Sequence, residues 1–271
     1  IPFFFEYENN KSDLEKKIFN NFGLNLNLTS KAKYNIFPSP RLNLKNVEIL
    51  SFSENSNNVG SAKKVILKIP FKKLVSLKIL DFDSAELINA VINVKTSEIN
   101  SLKNYLNNTA HEKPIHLKKS TINLLDKTNL LFSVDLNKLH ISGKNLFNKL
   151  VLKGRVFDTK IKINYQNKKL DKNFLSKVVI NLPEIGLNLK FSINPDNKNN
   201  ETTYGSASVF FPNNQIYFDY ILNNKILNIT SSRLINNYFK GQLSGDLSLF
   251  PFSTFDLKLD INLLKFKNIL N

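Results

Sequence analysis

Apolar residues recur at every second position along most of this chain, and no fold that ignores that period can bury them. The clearest run is "FDLKLDINL", with Phe255, Leu257, Leu259, Ile261 and Leu263 on one side. "LNLNL" does the same with Leu24, Leu26 and Leu28, "KKVILKI" with Val65, Leu67 and Ile69, and "AVINVK" with Ala90, Ile92 and Val94. "LFSVDL" uses Phe132, Val134 and Leu136, and "KIKINY" uses Ile161, Ile163 and Tyr165. "LNLKFSI" uses Leu187, Leu189, Phe191 and Ile193, and "QIYFDYIL" uses Ile216, Phe218, Tyr220 and Leu222. Successive side chains of a strand point to opposite faces, so each run is a strand with one apolar and one polar face. Polar turn clusters such as "SENSNN" at 53–58, "NPDNKNN" at 194–200 and "PNN" at 212–214 separate them.

Many one-sided strands predict antiparallel sheet, and the apolar face has to be covered. A sandwich, a barrel, or a sheet curled round a helix or a ligand would each do this. The expected class is mainly β (α+β): a long curved antiparallel sheet whose apolar face forms a groove or half-open barrel, with one N-terminal helix packed on it. That helix is signalled by "NKSDLEKKIFNNFG" and should run from about Asp13 to Phe22. Ser12 and Glu15 have capping-box spacing, Leu14, Ile18, Phe19 and Phe22 share a face, and Gly23 sits where a helix stops. A second helix is possible at "SEINSLKNYLNN", with Ile99, Leu102 and Leu106 on one side.

"NIFPSPRLNLKNVEIL" is the most irregular strand. Pro38 and Pro40 lack donor N–H groups and hold the preceding residues extended, which suits a crossing between sheet edges. Leu42 and Leu44 are out of phase with Val47 and Ile49. A bulge at Lys45–Asn46 would restore all four to one face and bend the strand.

Net charge is +16, from 38 Lys and Arg against 22 Asp and Glu, and only Arg41, Arg155 and Arg233 are arginines. The lysines stand singly between apolar residues, as on the wet face of strands. A nucleic-acid binder favours Arg forks and clustered basic patches, so that class is disfavoured. Attraction to anionic lipid headgroups is a better use of the charge, and a merely solvated face is a simpler reading than either. The chain has no Cys, which removes disulfides, thiolate nucleophiles and Cys-ligated metals.

Motifs that carry chemistry are missing. His111, His116 and His140 form neither H-x-H nor H-E-x-x-H, and His116 reads as an exposed strand residue. Asp81 and Asp83 point the same way from "LDFDSAEL" and read as solvent-side carboxylates flanking a buried Phe82. There is no phosphate loop or nucleophile elbow, and "GQLSG" at 241–245 fits a strand bend. No catalytic, metal or cofactor residue is expected.

The order of features in residues 10–95 resembles the N-terminal region of the AsmA family. "DLEKKIFNNFG" resembles its helix and closing Gly, "LNLNL" the following strand, and "FPSPRLNLKNVEI" its proline motif. "GSAKKVILKIPFKKLVSLKILDFD" resembles the small-residue turn at Gly60 and Ala62, the next strand and a corner at Leu74, and "AELINAVINVKTS" a closing strand. Phe22 departs from the pattern, where the family has a small polar residue. The apolar start "IPFFFEYENN" resembles the outer end of a clipped membrane anchor.

The resemblance implies a non-enzymatic protein of the AsmA-like, TamB-related group. Such proteins are anchored in the bacterial inner membrane with the bulk of the chain in the periplasm. They are associated with phospholipid transfer along an apolar β-groove and with outer-membrane biogenesis. The implied partners are phospholipids and membrane, and outer-membrane assembly proteins. The alternative is a β-rich structural or interaction module that assists outer-membrane assembly without binding lipid. The expected organisation is 1–9 as anchor or linker, 10–108 as helix plus β sub-domain, and 109–271 as continuing sheet, possibly one continuous domain with the first. The groove or core lining would be Leu42, Leu44, Val47, Ile49, Val65, Leu67, Ile69, Ile92, Val94, Phe132, Val134, Ile161, Ile163, Leu187, Leu189, Phe191, Phe218, Leu257, Leu259 and Ile261.

Overall fold

A computed structural model describes residues 11–50, 58–71, 81–99, 101–102, 113–144, 147–170, 173–195, 202–223, 226–248 and 254–265. The fold is mainly β, as the alternation requires, with open, curved sheet that does not close into a barrel. Two compact units divide the chain, Ile1–Asp158 and Thr159–Asn271.

The first unit holds helix α1 (Lys11–Phe22) and strands β1 (Leu26–Leu28), β2 (Lys33–Asn35), β3 (Arg41–Leu50), β4 (Asn58–Lys68), β5 (Ser84–Lys95), β6 (Ile115–Asp126), β7 (Asn129–Lys144) and β8 (Phe147–Val156). They lie side by side in the order β1, β3, β4, β5, β6, β7, β8, and β2 also pairs with β3. The neighbours are antiparallel except β5 and β6, which run parallel. The composition change near 108–114 lies in the connection between that pair, mostly outside the described residues. Of the second helix expected there, the described residues hold a 3₁₀ turn at Thr96–Glu98 and helical residues at Ile99, Ser101 and Leu102, and Leu106 is outside the described residues. Gly60 and Ala62, expected in a turn, are interior to β4, and the expected corner at Leu74 is not described.

Helix α1 begins at Lys11, one residue before Ser12, so Ser12 cannot act as the N-cap. Glu15 is free of the capping box and instead accepts a hydrogen bond from the Leu28 backbone N–H at 2.9 Å, which ties the helix to β1. Leu14, Ile18 and Phe22 are fully buried, whereas Phe19, expected on that face, is exposed. Gly23 closes the helix in the left-handed region, its N–H bonded to the Phe19 carbonyl. Phe22 stacks on Phe82 with ring centroids 6.3 Å apart. Lys113 joins the helix end to the sheet, donating to the Asn21 side-chain carbonyl and pairing with Asp81. Asp81 is therefore an ion-pair partner rather than a free carboxylate, while Asp83 is exposed beside the buried Phe82 as expected.

The proline segment joins β2 to β3 as a hairpin connection. Tyr34 lies opposite Leu42 and Asn35 opposite Arg41. Further along, β1 takes the same edge of β3, with Leu28 opposite Val47 and Leu26 opposite Ile49. Two short strands thus share one side of β3.

The phase slip at Lys45–Asn46 is real but is not confined to one strand. Asn46 has φ 48°, and both it and Lys45 are exposed between buried Leu44 and Val47. The β3–β4 register keeps its phase across this level, with Lys45 opposite Lys64 and Val47 opposite Ala62, and shifts only further along, between Ile49 and Leu50. This happens because β4 slips at the same level: Ala62 and Val65 are buried around exposed Lys63 and half-buried Lys64. Asn89 in β5 (φ 52°) and Lys119 in β6 (φ 49°) continue the row. It ends in β7 at Asn137, where the register against β8 shifts between Leu136 and Lys138. Asn tolerates the left-handed region because its short amide bonds locally.

Backbone groups displaced by the slip find side-chain partners. Thr29 donates to the Asn46 carbonyl, and Ser30 to the Lys45 carbonyl at 2.5 Å. Buried Ser120 accepts from the Ala90 N–H at 3.0 Å and donates to the Lys118 carbonyl at 2.9 Å. Unmet backbone groups at such a site would each cost about 1–3 kcal/mol, so these hydroxyls make the row tolerable.

The second unit is a run of strands in chain order: β9 (Thr159–Leu170), β10 (Asn173–Leu182), β11 (Leu187–Pro195), β12 (Thr202–Phe211), β13 (Asn214–Asn223), β14 (Ile226–Asn236), β15 (Phe239–Ser248) and β16 (Thr254–Leu264). Neighbouring strands from β9 to β16 all run antiparallel. A bulge leaves Thr230 unmatched between Asp219 and Tyr220, and its hydroxyl bonds the Asp219 carbonyl at 3.2 Å. Another falls near Asn262: Ile261 faces Gly241 but Leu263 faces Lys240 and Leu264 faces Phe239. The unbroken alternation of "FDLKLDINL" therefore ends at Ile261, and Leu263 joins the polar side.

Candidate apolar surface

Directly opposed residues on neighbouring strands share a face, so the register determines which side chains assemble. In the first unit Leu42, Leu44, Val47 and Ile49 on β3, Val65 and Leu67 on β4, and Ile92 and Val94 on β5 are all buried, as is Ile69 just beyond β4. Helix α1 supplies Leu14, Ile18 and Phe22 to the same core. These nine expected lining residues are thus sealed interior. The same face is more open towards β7, where Phe132 and Val134 are half-buried.

In the second unit one row runs Ile163, Ile180, Leu189, Val209, Ile216, Leu234 across six strands. A second row beside it runs Tyr165, Val178, Phe191, Ala207, Phe218 and Ser232. Leu187 extends the face at one end of β11, and Ile161 at one end of β9. Ile161, Ile163, Leu187, Leu189, Phe191 and Phe218 are all half-buried, and on β16 Leu257, Leu259 and Ile261 are exposed. The described residues of this unit hold no α-helix, only a 3₁₀ turn at Pro183–Ile185. Its tightest packing is a cluster of Ala207, Tyr220, Leu227 and Ile229, edged by Phe191, Phe218, Leu222, Leu243 and Leu247.

Gly205 organises that cluster. It lies opposite Ile193 and Tyr220, and the Tyr220 ring crosses it so closely that a Cβ there would come within 2.5 Å of the ring. The Tyr220 hydroxyl thereby reaches the Ser192 carbonyl on β11 at 3.2 Å. Burial pushes the Tyr220 phenol above its ordinary pKa. A large aromatic ring thus lies flat on an aliphatic face with its one polar atom satisfied.

Lysines alternate with the apolar residues and so occupy the other side. Lys160 and Lys162 bracket Ile161, and Lys190 follows Leu189 and stands 5.3 Å from the Phe210 ring. Lys160 pairs with Glu184 at 3.3 Å. Cationic and aliphatic surfaces are therefore back to back. A depression of about 460 Å³ lined by Gly186, Phe210, Phe211, Asn214, Ile235, Asn236 and Lys265, among others, holds one cation and no carboxylate.

One arrangement was not visible in the sequence. His116 on β6 and His140 on β7 are directly opposed, with stacked rings 4.7 Å apart and Nδ1 atoms 3.2 Å apart. His116 is half-buried, not an exposed strand residue, because β5 and β7 flank it on both sides. Burial, then the charge of His140, lowers the His116 pKa, with Glu86 opposing and Lys138 and Lys68 adding to the fall. Burial, then Lys138 and Lys149, lowers that of His140. Glu86 itself is paired with Lys118 at 2.9 Å. Twenty-four residues of sequence separate the two histidines, so only the register joins them. Among the described residues no three His, Asp or Glu side chains converge where a metal could sit.

The chain matches no family model, no curated protein and no solved structure.

Proposed function

We propose that the chain is a non-enzymatic lipid-handling protein of AsmA type, whose second unit offers acyl chains an aliphatic β-surface. The observation that carries this reading is the double row from Ile163 to Leu234 and Tyr165 to Phe218, half-buried except at Ala207, in a unit whose described residues hold no α-helix. Each CH₂ moved from water onto such a surface gains about 0.8 kcal/mol. Aliphatic contacts do not distinguish one acyl chain from another, so lipid can slide along the rows without any reacting group. The lysine-bearing opposite face suits anionic headgroups or a membrane surface. In this reading the protein is anchored in the inner membrane, works in the periplasm and supports outer-membrane biogenesis by passive phospholipid transfer.

The sealed core of the first unit favours a second reading for that part, a rigid scaffold module for an outer-membrane assembly partner. Lipid mass spectrometry on the purified chain, with transfer of a fluorescent phospholipid between vesicles, separates the two. Co-purifying phospholipid and transfer that Phe191→Asp or Phe218→Asp abolishes are expected. A chain that retains no lipid and transfers none would refute the lipid reading.

A further inference from the structure

The strands of the second unit follow one another antiparallel and in chain order, so every other connection falls at the same end of the sheet. Three described turns share one end: 183–186 between β10 and β11, 212–213 between β12 and β13, and 237–238 between β14 and β15. Each hairpin has a described strand on both of its sides. Such turns call for Gly, Asn, Asp or Pro, and Pro183, Gly186, Pro212, Asn213 and Asn237 meet that need. Ile185, Phe211 and Tyr238 answer no such need, yet they stand at the turns 54%, 40% and 52% exposed. Phe211, two residues after Val209, carries the apolar face to this rim. Connections at the other end read "DK" at 171–172, "DNKNNE" at 196–201 and "NK" at 224–225, with "LFPFS" at 249–253 as the apolar exception.

Turns two strands apart stand about 9–10 Å from one another. The first two touch, since an added Cβ at Gly186 would lie 3.0 Å from the Pro212 ring. The row is therefore three spaced apolar points, with Asn213, Asn214, Asn236 and Asn237 between them, around the 460 Å³ depression. Within 180–189, 209–216 and 234–241 the charged side chains are Glu184 and Lys240. Lys160 holds Glu184 at 3.3 Å. Lys265 reaches the third turn, its backbone N–H bonding the Tyr238 carbonyl at 2.7 Å and its ammonium the Asn236 carbonyl at 3.3 Å. Three cations thus stand against one carboxylate.

A protein partner packs on a continuous apolar patch with a dry centre, which spaced points among amides do not offer. A bilayer interface takes such points one by one. Apolar side chains enter the acyl boundary, amides and the Tyr hydroxyl stay with the headgroups, and lysines meet anionic phosphates.

We propose that this turn end of the second unit is a membrane-docking rim, with Ile185, Phe211 and Tyr238 entering the interface of an anionic bilayer and Lys240 and Lys265 on its headgroups. Docking does not depend on the transfer reading: a chain that binds vesicles and transfers no lipid meets this proposal and refutes that one.

The chain has no Trp, so a single introduced Trp reports its own surroundings. Ile185→Trp, Phe211→Trp and Tyr238→Trp probe the rim. Tyr204→Trp, opposite Asn194 near the other end, and Tyr217→Trp, opposite Ser208 on the lysine-bearing face, serve as references. Each is mixed with vesicles of equal parts phosphatidylcholine and phosphatidylglycerol carrying brominated acyl chains. Emission at the three rim positions should move to shorter wavelength and be quenched, and at the two references it should not change. The triple variant I185S/F211S/Y238S should bind the vesicles at least tenfold more weakly, and the wild type should prefer them to pure phosphatidylcholine. No quenching at the rim, equal quenching at the references, a triple variant that binds like the wild type, or no preference for anionic lipid would each overturn the proposal. So would a wild type that ignores vesicles but sediments as an oligomer that the triple variant loses, which would assign the row to a protein contact. Circular dichroism of each variant confirms folding, since every substituted residue is exposed.

Discussion

Leu44→Ala tests whether the first unit has a dry core. Leu44 is 0% exposed on β3, opposite Val65, itself buried, and close to Leu42 and Val47 on the same face. The change removes three carbon atoms, worth about 2.4 kcal/mol at about 0.8 kcal/mol each. The hole left between packed strands adds a further cost of about 1–2 kcal/mol, since such sites relax only in part. The expected loss is about 3.5–4.5 kcal/mol. Leu189→Ala removes the same atoms from the half-buried second unit and should cost only about 1–2 kcal/mol, because much of its surface already meets water. A two-unit chain need not unfold in one step, so the assay is hydrogen exchange by mass spectrometry in increasing urea, read separately on peptides of each unit. Leu44→Ala should loosen first-unit peptides and leave those of β11–β13 unchanged. A cost below about 1.5 kcal/mol, or equal costs for the two variants, would mean that Leu44 is not sealed and that the core assignment is mistaken.

The histidine pair should make stability depend on acid. Both folded imidazoles sit below the ordinary value of about 6.5, so as pH falls through about 6.5 the unfolded chain takes up protons first and stability drops. The fall ends once the folded imidazoles are also protonated, and above about 6.5 the pair has no effect. Thermal melts from neutral pH down to about pH 5 should show this, and H116F/H140F should flatten the curve in that window; an unchanged curve would rule out the pair as its cause. At Gly205, an added Cβ would collide with the Tyr220 ring and the Ser192 carbonyl, so Gly205→Ala should cost about 1–3 kcal/mol. Combined with Tyr220→Ala, its cost should be less than additive by more than about 0.5 kcal/mol, and strict additivity in urea melts would contradict the packing described.

The strands were legible because a period of two is a local property of the chain. Helix α1 was legible for a similar reason, and Gly23 ended it as expected, but its start was misplaced. The capping-box spacing of Ser12 and Glu15 is real, yet Glu15 gains a backbone partner on β1 that no local pattern contains. The slip at Lys45–Asn46 was also readable from the phases of Leu42, Leu44, Val47 and Ile49. Its continuation was present too, as an apolar–polar–polar–apolar step in "AKKV" and "LNKL", but nothing local says that these steps share one level. The His116–His140 contact was hidden for the same reason, because pairing register is a relation between distant segments.

The sequence by itself determined which side of each strand is apolar. It could not determine what covers that side. Leu44 in "LNL" and Leu259 in "LKL" each stand between polar neighbours on the apolar side of a strand, yet one is 0% and the other 44% exposed. The difference comes from helix α1 and strands on both sides on one hand, and a strand with a single described neighbour on the other. Alternation records a strand's two faces, whereas burial depends on what the rest of the chain lays over them, and that is settled only when the sheet and its helix assemble.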